Sequence, residues 1–178
     1  MSKPVKEPLA DKLQRPVVSS AHLAGKLPAL SEMEFGLILA LRAFDRWIVR
    51  CMSAAGMPNL SQIEILILHI VRHRDRAKRF ADIALILDIE ETHVIAYALR
   101  KLEMAGLVST RREGKEKLVL ATKAGIDLCT SYATVREQLL VKPLCTSGPS
   151  EKALSEVGEM LRAVSGYYNQ AARAAATV

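Results

Sequence analysis

Two helical patterns followed at once by a hairpin pattern, between residues 80 and 120, constrain the fold of this chain more than any other feature. The second helical pattern covers residues 92–105 and ends at a glycine. Two strand-like runs follow, 108–111 and 117–120, on either side of a tight turn at Gly114. A helix pair joined directly to a small hairpin predicts a winged helix-turn-helix, a fold that commonly binds duplex DNA.

The composition favours a mainly helical protein with an aliphatic core. Half of the 178 residues are hydrophobic while only 4% are aromatic, and the formal net charge is +6. A mildly basic chain is able to approach a polyanion. The 3 cysteines have neither metal-binding nor disulfide spacing. Because we find no signal peptide, and because the most apolar helical pattern carries charged residues, we expect a cytoplasmic protein that makes no membrane contact.

Helix start and stop signals divide the chain into regions. Ser31 and Glu34 form a capping box, which predicts a helix from Ser31 to about residue 55, where Gly56 ends it. Ser61 and Glu64 repeat the box at the start of the next helix. We therefore expect an extended or loosely ordered arm (1–29), an N-terminal dimerisation helix (30–59), a winged-helix DNA-binding domain (60–121) and C-terminal dimerisation helices (122–178).

The first helix has an apolar face too wide for one neighbouring helix to cover, so it needs either a deep core within the chain or a partner subunit, and we predict a homodimer. The first helix is apolar over more than half of its circumference. After Thr122 a helix should reach about residue 141, Pro143 should break the chain, and a last amphipathic helix should follow Ser150. Burial of these faces against a twin would remove them from water. The predicted dimerisation residues are Phe35, Leu37, Leu41, Phe44, Trp47, Leu154, Val157 and Leu161.

The outward face of the second helix of the pair and two groups of cations form the predicted DNA-binding site. Ile95, Leu99 and Leu102 should line the core, so the opposite face is free to enter the major groove. A basic loop at residues 72–79 and the cations of the hairpin suit phosphates or the minor groove. The predicted DNA-binding residues are His93, Tyr97, Arg100, Lys101, Arg74, Arg76, Arg79, Arg111, Arg112, Lys115 and Lys117.

Residues 60–125 resemble the MarR family of bacterial winged-helix regulators. The resemblance rests on Leu60-Ser61-x-x-Glu64, Asp82-Ile83-Ala84-x-x-Leu87-x-Ile89, Leu99-x-x-Leu102-Glu103-x-x-Gly106-Leu107-Val108 and Ala121-Thr122-Lys123-Ala124-Gly125. It implies a homodimer that grips a pseudo-palindromic operator in double-stranded DNA. It also implies that a phenolic or other small ligand between the dimerisation and DNA-binding lobes, or an oxidant, lowers DNA affinity. The wing tip departs from the family, because it lacks the usual Asp-Arg pair.

The sequence leaves alternatives open. Because it lacks a placed nucleophile and base, a paired-carboxylate motif and a glycine-rich phosphate loop, we expect neither an enzyme nor a cofactor. Glu90 and Glu91, just before the second helix, would suit a winged helix that binds a protein instead of DNA. We interpret Cys51 as a buried structural thiol and not as a redox sensor. His69 and His73 have a spacing that could share a metal, but no third ligand is near them in sequence.

Overall fold

The expected winged helix-turn-helix is present, with further helices before and after it. The computed structural model describes residues 26–114 and 116–178, so most of the predicted arm and Lys115 lie outside the described residues. In chain order the elements are α1 (Pro28–Ala54), α2 (Gln62–Arg72), a 3-10 turn (His73–Asp75), β1 (Lys78–Arg79), α3 (Phe80–Leu87), α4 (Thr92–Met104), β2 (Val108–Glu113), β3 (Glu116–Ala121), α5 (Lys123–Arg136), a π-helical turn (Glu137–Val141), α6 (Lys142–Ser147) and α7 (Glu151–Ala175). The predicted fold class, mainly α with a small β wing, is confirmed.

Both ends of α1 have an identifiable cause. The predicted start at Ser31 is wrong: α1 begins at Pro28, and Ser31 is buried inside the helix. Proline suits the first helical turn because its fixed φ is helical and its missing N–H would have had no partner there. The predicted stop is confirmed, since Gly56 follows the helix with a left-handed φ of 105°. The capping box of α2 is also confirmed, with Ser61 N–H donating to Glu64 at 2.8 Å.

The sheet has three strands in the order β1-β3-β2, one more than the hairpin predicted from the sequence. β2 and β3 pair antiparallel from Val108 opposite Ala121 to Glu113 opposite Glu116. The extra strand β1 pairs with β3, and Lys78 lies opposite Val119. A strand of two basic residues has no apolar alternation, so the sequence pattern could not reveal it.

The core lies between α2, α4 and the sheet. Its central side chains are fully buried, and they include the three residues predicted for the core face of α4. The C-terminal half of α1 covers this core from one side, and the first turns of α5 close it. The fully buried residues at its centre are Met52, Ile65, Ile67, Leu68, Ile83, Ile95, Ala98, Leu99, Leu102 and Val119.

The helix after the wing continues past the proline that was expected to break it. From Lys123 the chain stays helical through the π-helical turn and α6 to Ser147. A proline in a regular α-helix collides with the carbonyl four residues back, and a wider turn relieves that collision. Here the N–H of Lys142, directly before Pro143, donates to Glu137 O five residues back. The break comes instead at Gly148, and α7 then starts with Ser150 accepting from Ala153 N–H at 3.2 Å.

Candidate nucleic-acid interface

Helix α4 has one buried face and one exposed face. Ile95, Leu99 and Leu102 are each 0% exposed, whereas Tyr97 on the opposite side is 64% exposed. The helix ends where Gly106 takes a φ of 70° and Leu107 N–H returns to Leu102 O at 2.9 Å. His93, Ala96, Tyr97 and Arg100 share the exposed face, as the periodicity predicted.

The turn between α3 and α4 is held from outside the winged helix. Asp88 ends α3 in the left-handed conformation, with a φ of 53°. Asn169 of α7 donates to the Asp88 carboxylate at 2.7 Å, and Tyr168 donates to Glu34 of α1 at 2.7 Å. The last helix therefore touches both the first helix and the turn that leads into α4. Glu90, in the same turn, is exposed.

Lys101, predicted to contact DNA, is paired within the protein. Its Nζ lies 2.7 Å from Glu64 Oε1, and the Glu64 side chain is only 2% exposed. Burial opposes ionisation of Glu64, but the bonds from Lys101 and from Ser61 N–H outweigh it and lower the pKa of this carboxyl. The hydrogen bond to Glu64 raises the pKa of Lys101. The same ammonium lies 5.8 Å from the centre of the Tyr97 ring.

A buried lysine shapes the basic loop, residues 72–79. Lys78 is 7% exposed, and its Nζ donates to His73 O at 2.5 Å and to Arg76 O at 2.9 Å. Burial lowers the pKa of Lys78, and the charges of Arg76 and Arg74 add to that effect. Arg74 itself has a left-handed φ of 61°. The loop is therefore tied down by its own lysine, while Arg74 and Arg76 stay exposed.

Arg79 alternates with Lys78 on strand β1 and points outward, but acidic neighbours surround it. Its guanidinium lies 2.9 Å from Asp82 Oδ1 and 3.4 Å from Glu116 Oε1. The hydrogen bond to Asp82 raises the pKa of Arg79, and the same contact lowers the pKa of Asp82. An arginine held in this way would have to exchange these partners for a phosphate before it could clamp DNA.

The wing, strands β2 and β3, carries exposed cations next to its turn. Arg111, Arg112 and Lys117 are all exposed, and Lys115 lies outside the described residues. Arg112 pairs in register with Lys117, so two like charges lie opposite each other near the tip. Arg111 has a loose contact of 3.6 Å with Glu113. An external anion bound to the wing would therefore reduce the repulsion between these like charges.

A cavity of about 570 Å³ lies between α1, α2 and α5, away from the exposed face of α4. His69 and Tyr132 meet there edge to face, with ring centres 4.6 Å apart. His69 Nε2 is buried without a hydrogen-bond partner in the described structure, and burial lowers the pKa of this imidazole. Burial also raises the pKa of Tyr132 to about 12. Arg72 and Arg136 line the same cavity.

The cysteine interpretation is supported by burial. Cys51 is 1% exposed, and its Sγ donates to Tyr132 O at 3.7 Å. Burial raises the pKa of the Cys51 thiol, and likewise that of Cys129, which lines the cavity. A thiol with a raised pKa is protonated at neutral pH and reacts slowly. Among the described residues, no three His, Cys, Asp or Glu side chains gather as metal ligands.

The predicted dimerisation faces are largely exposed in the protomer. Leu37, Leu41 and Phe44 on α1 and the three residues of α7 are between 36% and 52% exposed. Phe35 is half-buried, and Trp47 packs partly against the core of its own protomer. Phe44 also lines the cavity. In the described part of the chain, no helix combines the length and the hydropathy that a membrane crossing requires.

Comparisons with known proteins agree with this geometry. Residues 60–125 match a family model described as a winged helix DNA-binding domain. A comparison with curated proteins found no significant match. The match begins at the same residue as the predicted DNA-binding domain and ends four residues later, inside the first turn of α5.

Several solved structures share the fold well beyond that domain. NMB1585, a MarR family regulator from Neisseria meningitidis, has a TM-score of 0.63 and 14% identity, covering 80% of this chain and 94% of that one. AbfR of Staphylococcus epidermidis has a TM-score of 0.63 and 15% identity, covering 82% and 96%. NadR, in complex with 4-hydroxyphenylacetate, has a TM-score of 0.59 and 17% identity, covering 74% and 91%. The chain therefore has the winged-helix fold of MarR family regulators, and the resemblance expected from the sequence is confirmed at the level of fold.

Proposed function

We propose that the protein is a MarR-family transcriptional regulator that binds duplex DNA sequence-specifically. The observation that supports this most directly is the two-sided helix α4, which is fully buried on one face and exposed on the other, beside the wing. Arg100 would read base edges from that exposed face, because arginine donates two parallel hydrogen bonds to guanine. The wing and the basic loop would contribute phosphate contacts, which set the register on the duplex.

The operator would be pseudo-palindromic and the regulator a homodimer. One winged helix covers a half-site, and two are needed to span half-sites about one duplex turn apart. The exposed apolar residues of α1 and α7 supply the surface that a second copy would cover. Because these helices lie outside residues 60–125, the dimer contacts and the DNA contacts would occupy different parts of the chain.

A small aromatic acid would regulate the DNA affinity by binding in the cavity. The cavity offers apolar walls, Arg136 for a carboxylate and the unpartnered Nε2 of His69 for a further polar group. Arg72, the other arginine of the lining, is paired with Asp75. NadR, which has the same fold, was solved in complex with 4-hydroxyphenylacetate. Calorimetric titration with that compound should detect binding, which Arg136→Ala should weaken. Lys142→Ala, on the same continuous helix but not lining the cavity, is the matched control.

The DNA-binding proposal is tested with duplexes selected from a random pool. By fluorescence anisotropy, the wild type should bind a selected duplex at least about a thousandfold more tightly than a shuffled one. Arg100→Ala should reduce that ratio. Lys152→Ala, which removes the same charge from the first turn of α7, should leave it unchanged. Equal affinity for the selected and shuffled duplexes would contradict sequence-specific binding.

A protein-interaction module is the second candidate function. The exposed Glu90 and Glu91 at the start of α4 support it, because anions at that position repel the phosphates of an approaching duplex. A module of this kind would bind no duplex even at low salt, where electrostatic attraction to DNA is strongest. The anisotropy measurement repeated at low salt therefore separates the two functions.

A further inference from the structure

We infer that Lys101 acts on DNA recognition as a positioning residue, which fixes helix α4 against helix α2 through Glu64 and does not contact DNA. This inference rests on the proposed function, because it concerns the helix that would read the operator. Sequence alone places Lys101 beside Arg100 among the predicted DNA contacts. The structure gives the two neighbours different surroundings, since only Lys101 has a buried carboxylate within hydrogen-bond distance.

Both oxygens of the Glu64 carboxylate are engaged. Oε1 lies 2.7 Å from Lys101 Nζ, and Oε2 accepts the Ser61 N–H at 2.8 Å, which closes the capping box of α2. Glu64 is therefore held at the start of its own helix before Lys101 meets it. A carboxylate fixed in this way defines a position in space for the lysine.

The pair adds a polar contact between α2 and α4 at one fixed point, which the apolar core does not supply. Ile95 and Leu99 bury the inner face of α4, but apolar packing is non-directional and opposes separation more than sliding or rotation. An ion pair to a carboxylate that is itself held in place adds a restraint on those movements. Lys101 follows Arg100 directly and lies one turn after Tyr97, so the restraint acts on the part of α4 that carries the exposed side chains.

If Lys101 bound a DNA phosphate, its ion pair with Glu64 would break. The carboxylate is 2% exposed, so it would remain buried and charged without its cation, which is strongly unfavourable. Arg100, Arg112 and Lys117 are exposed and have no comparable partner within residues 26–114 and 116–178. The DNA phosphates would therefore bind those side chains in preference to Lys101.

The sharpest test is the double variant Glu64→Gln/Lys101→Met, which removes the pair without changing the net charge. Binding to a selected and a shuffled duplex is measured over a range of salt concentrations. The inference predicts that the selected-to-shuffled affinity ratio falls about tenfold, comparable to the effect of one or two mismatched base pairs. The salt slope, which is the slope of log affinity against log salt concentration, should be unchanged. Removal of a phosphate-binding lysine would instead reduce the slope by about 0.9 for each site and lower both affinities alike.

Matched variants separate positioning from a general loss of structure. Lys117→Met removes a wing cation and should lower the salt slope with the affinity ratio retained. Lys101→Arg keeps a cation opposite Glu64 and should retain most of the ratio. If the double variant does not fold, Glu64→Gln alone replaces it: this variant removes the partner but keeps the lysine, so the inference predicts a lower ratio, and an unchanged ratio overturns it. Binding is compared well below the melting temperature of each variant, so that unfolding does not contribute to the ratio.

The outcomes are distinguishable. An unchanged ratio in a folded double variant overturns the inference and leaves the DNA-binding proposal standing. A reduced slope with an unchanged ratio also overturns it, and assigns Lys101 to a phosphate. A wild type that binds neither duplex overturns the DNA-binding proposal, and the inference with it.

Discussion

Gly125→Ala should destabilise the junction between the wing and helix α5. Gly125 is buried in the first turn of α5, and a Cβ built on it would lie 2.1 Å from the backbone oxygen of Leu107, where 3.0 Å is the practical minimum. The helix and the start of β2 would therefore have to separate by about 0.9 Å, the difference between those two distances. Leu107 O also accepts Thr122 N–H at 3.1 Å, so the same movement strains that bond.

Two opposing terms set the magnitude. Overpacking against backbone costs about 1–3 kcal/mol, and loss of the Thr122 hydrogen bond adds about 1 kcal/mol. Alanine recovers about 1 kcal/mol through its better helix propensity. The net loss of about 2 kcal/mol corresponds to a melting temperature lower by roughly 4–8 °C for a chain of this size.

Thermal unfolding followed by circular dichroism measures this difference. Gly166→Ala in α7 is the matched control, because nothing lies within 4 Å of a Cβ built there. With no clash to oppose the propensity gain, the control should be as stable as the wild type or more stable. A Gly125→Ala protein that melts at or above the wild-type temperature would refute the argument from the close approach to Leu107.

Four further predictions address binding, pH and assembly. Arg100→Ala should weaken specific DNA binding by roughly 1–3 kcal/mol in a gel shift, and unchanged affinity would remove Arg100 from the site. Arg111→Ala/Arg112→Ala should flatten the salt dependence of binding by about one unit for each phosphate that these arginines neutralise, and an unaltered slope would argue against a DNA-contacting wing. The free energy of unfolding should fall as the pH drops below 6.5, because His69 binds a proton in the unfolded chain while burial lowers its pKa in the folded protein. His69→Gln should therefore flatten the curve of melting temperature against pH. Leu161→Glu should yield monomers or aggregates and abolish operator binding, whereas wild-type monomers at micromolar concentration in light scattering would exclude the dimer.

Local signals in the sequence predicted the parts of the structure that depend on neighbouring residues. The buried and exposed faces of α4 follow from a 3.6-residue periodicity, and the caps at Ser61, Gly106 and Thr122 follow from residue types with known conformational roles. Thr122 Oγ1 accepts Gly125 N–H at 3.1 Å as an N-cap should. The start at Ser31 failed because a second valid signal, Pro28, stood one turn earlier.

Contacts between distant residues could not be predicted in this way. Strand β1 exists because Lys78 meets Val119 across the sheet, and neither residue carries a local mark of that pairing. The burial of Lys78 follows from this strand pairing. The sequence does not distinguish Lys78 from the other cations, although its hydrogen bonds to His73 O and Arg76 O hold the basic loop in place. Glu64 was recognised as half of a capping box, but its second partner lies on another helix.

The distribution of ion pairs changes what the basic character of the chain means for DNA binding. From the sequence alone, every lysine and arginine is available to bind phosphate. In the structure, Arg79 is paired with two carboxylates, Lys78 donates to backbone carbonyls and Lys101 is paired with a buried glutamate. Each of these would have to give up a partner before it could bind a phosphate. For the exposed Arg79 such an exchange contributes little net free energy, and for Lys101 it is unfavourable because the buried Glu64 would lose its cation. Counterion release scales with the phosphates that are newly neutralised. The salt slope should therefore follow the exposed, unpaired cations of the described residues, chiefly Arg74, Arg76, Arg100, Arg112 and Lys117, and should be shallower than the formal charge suggests.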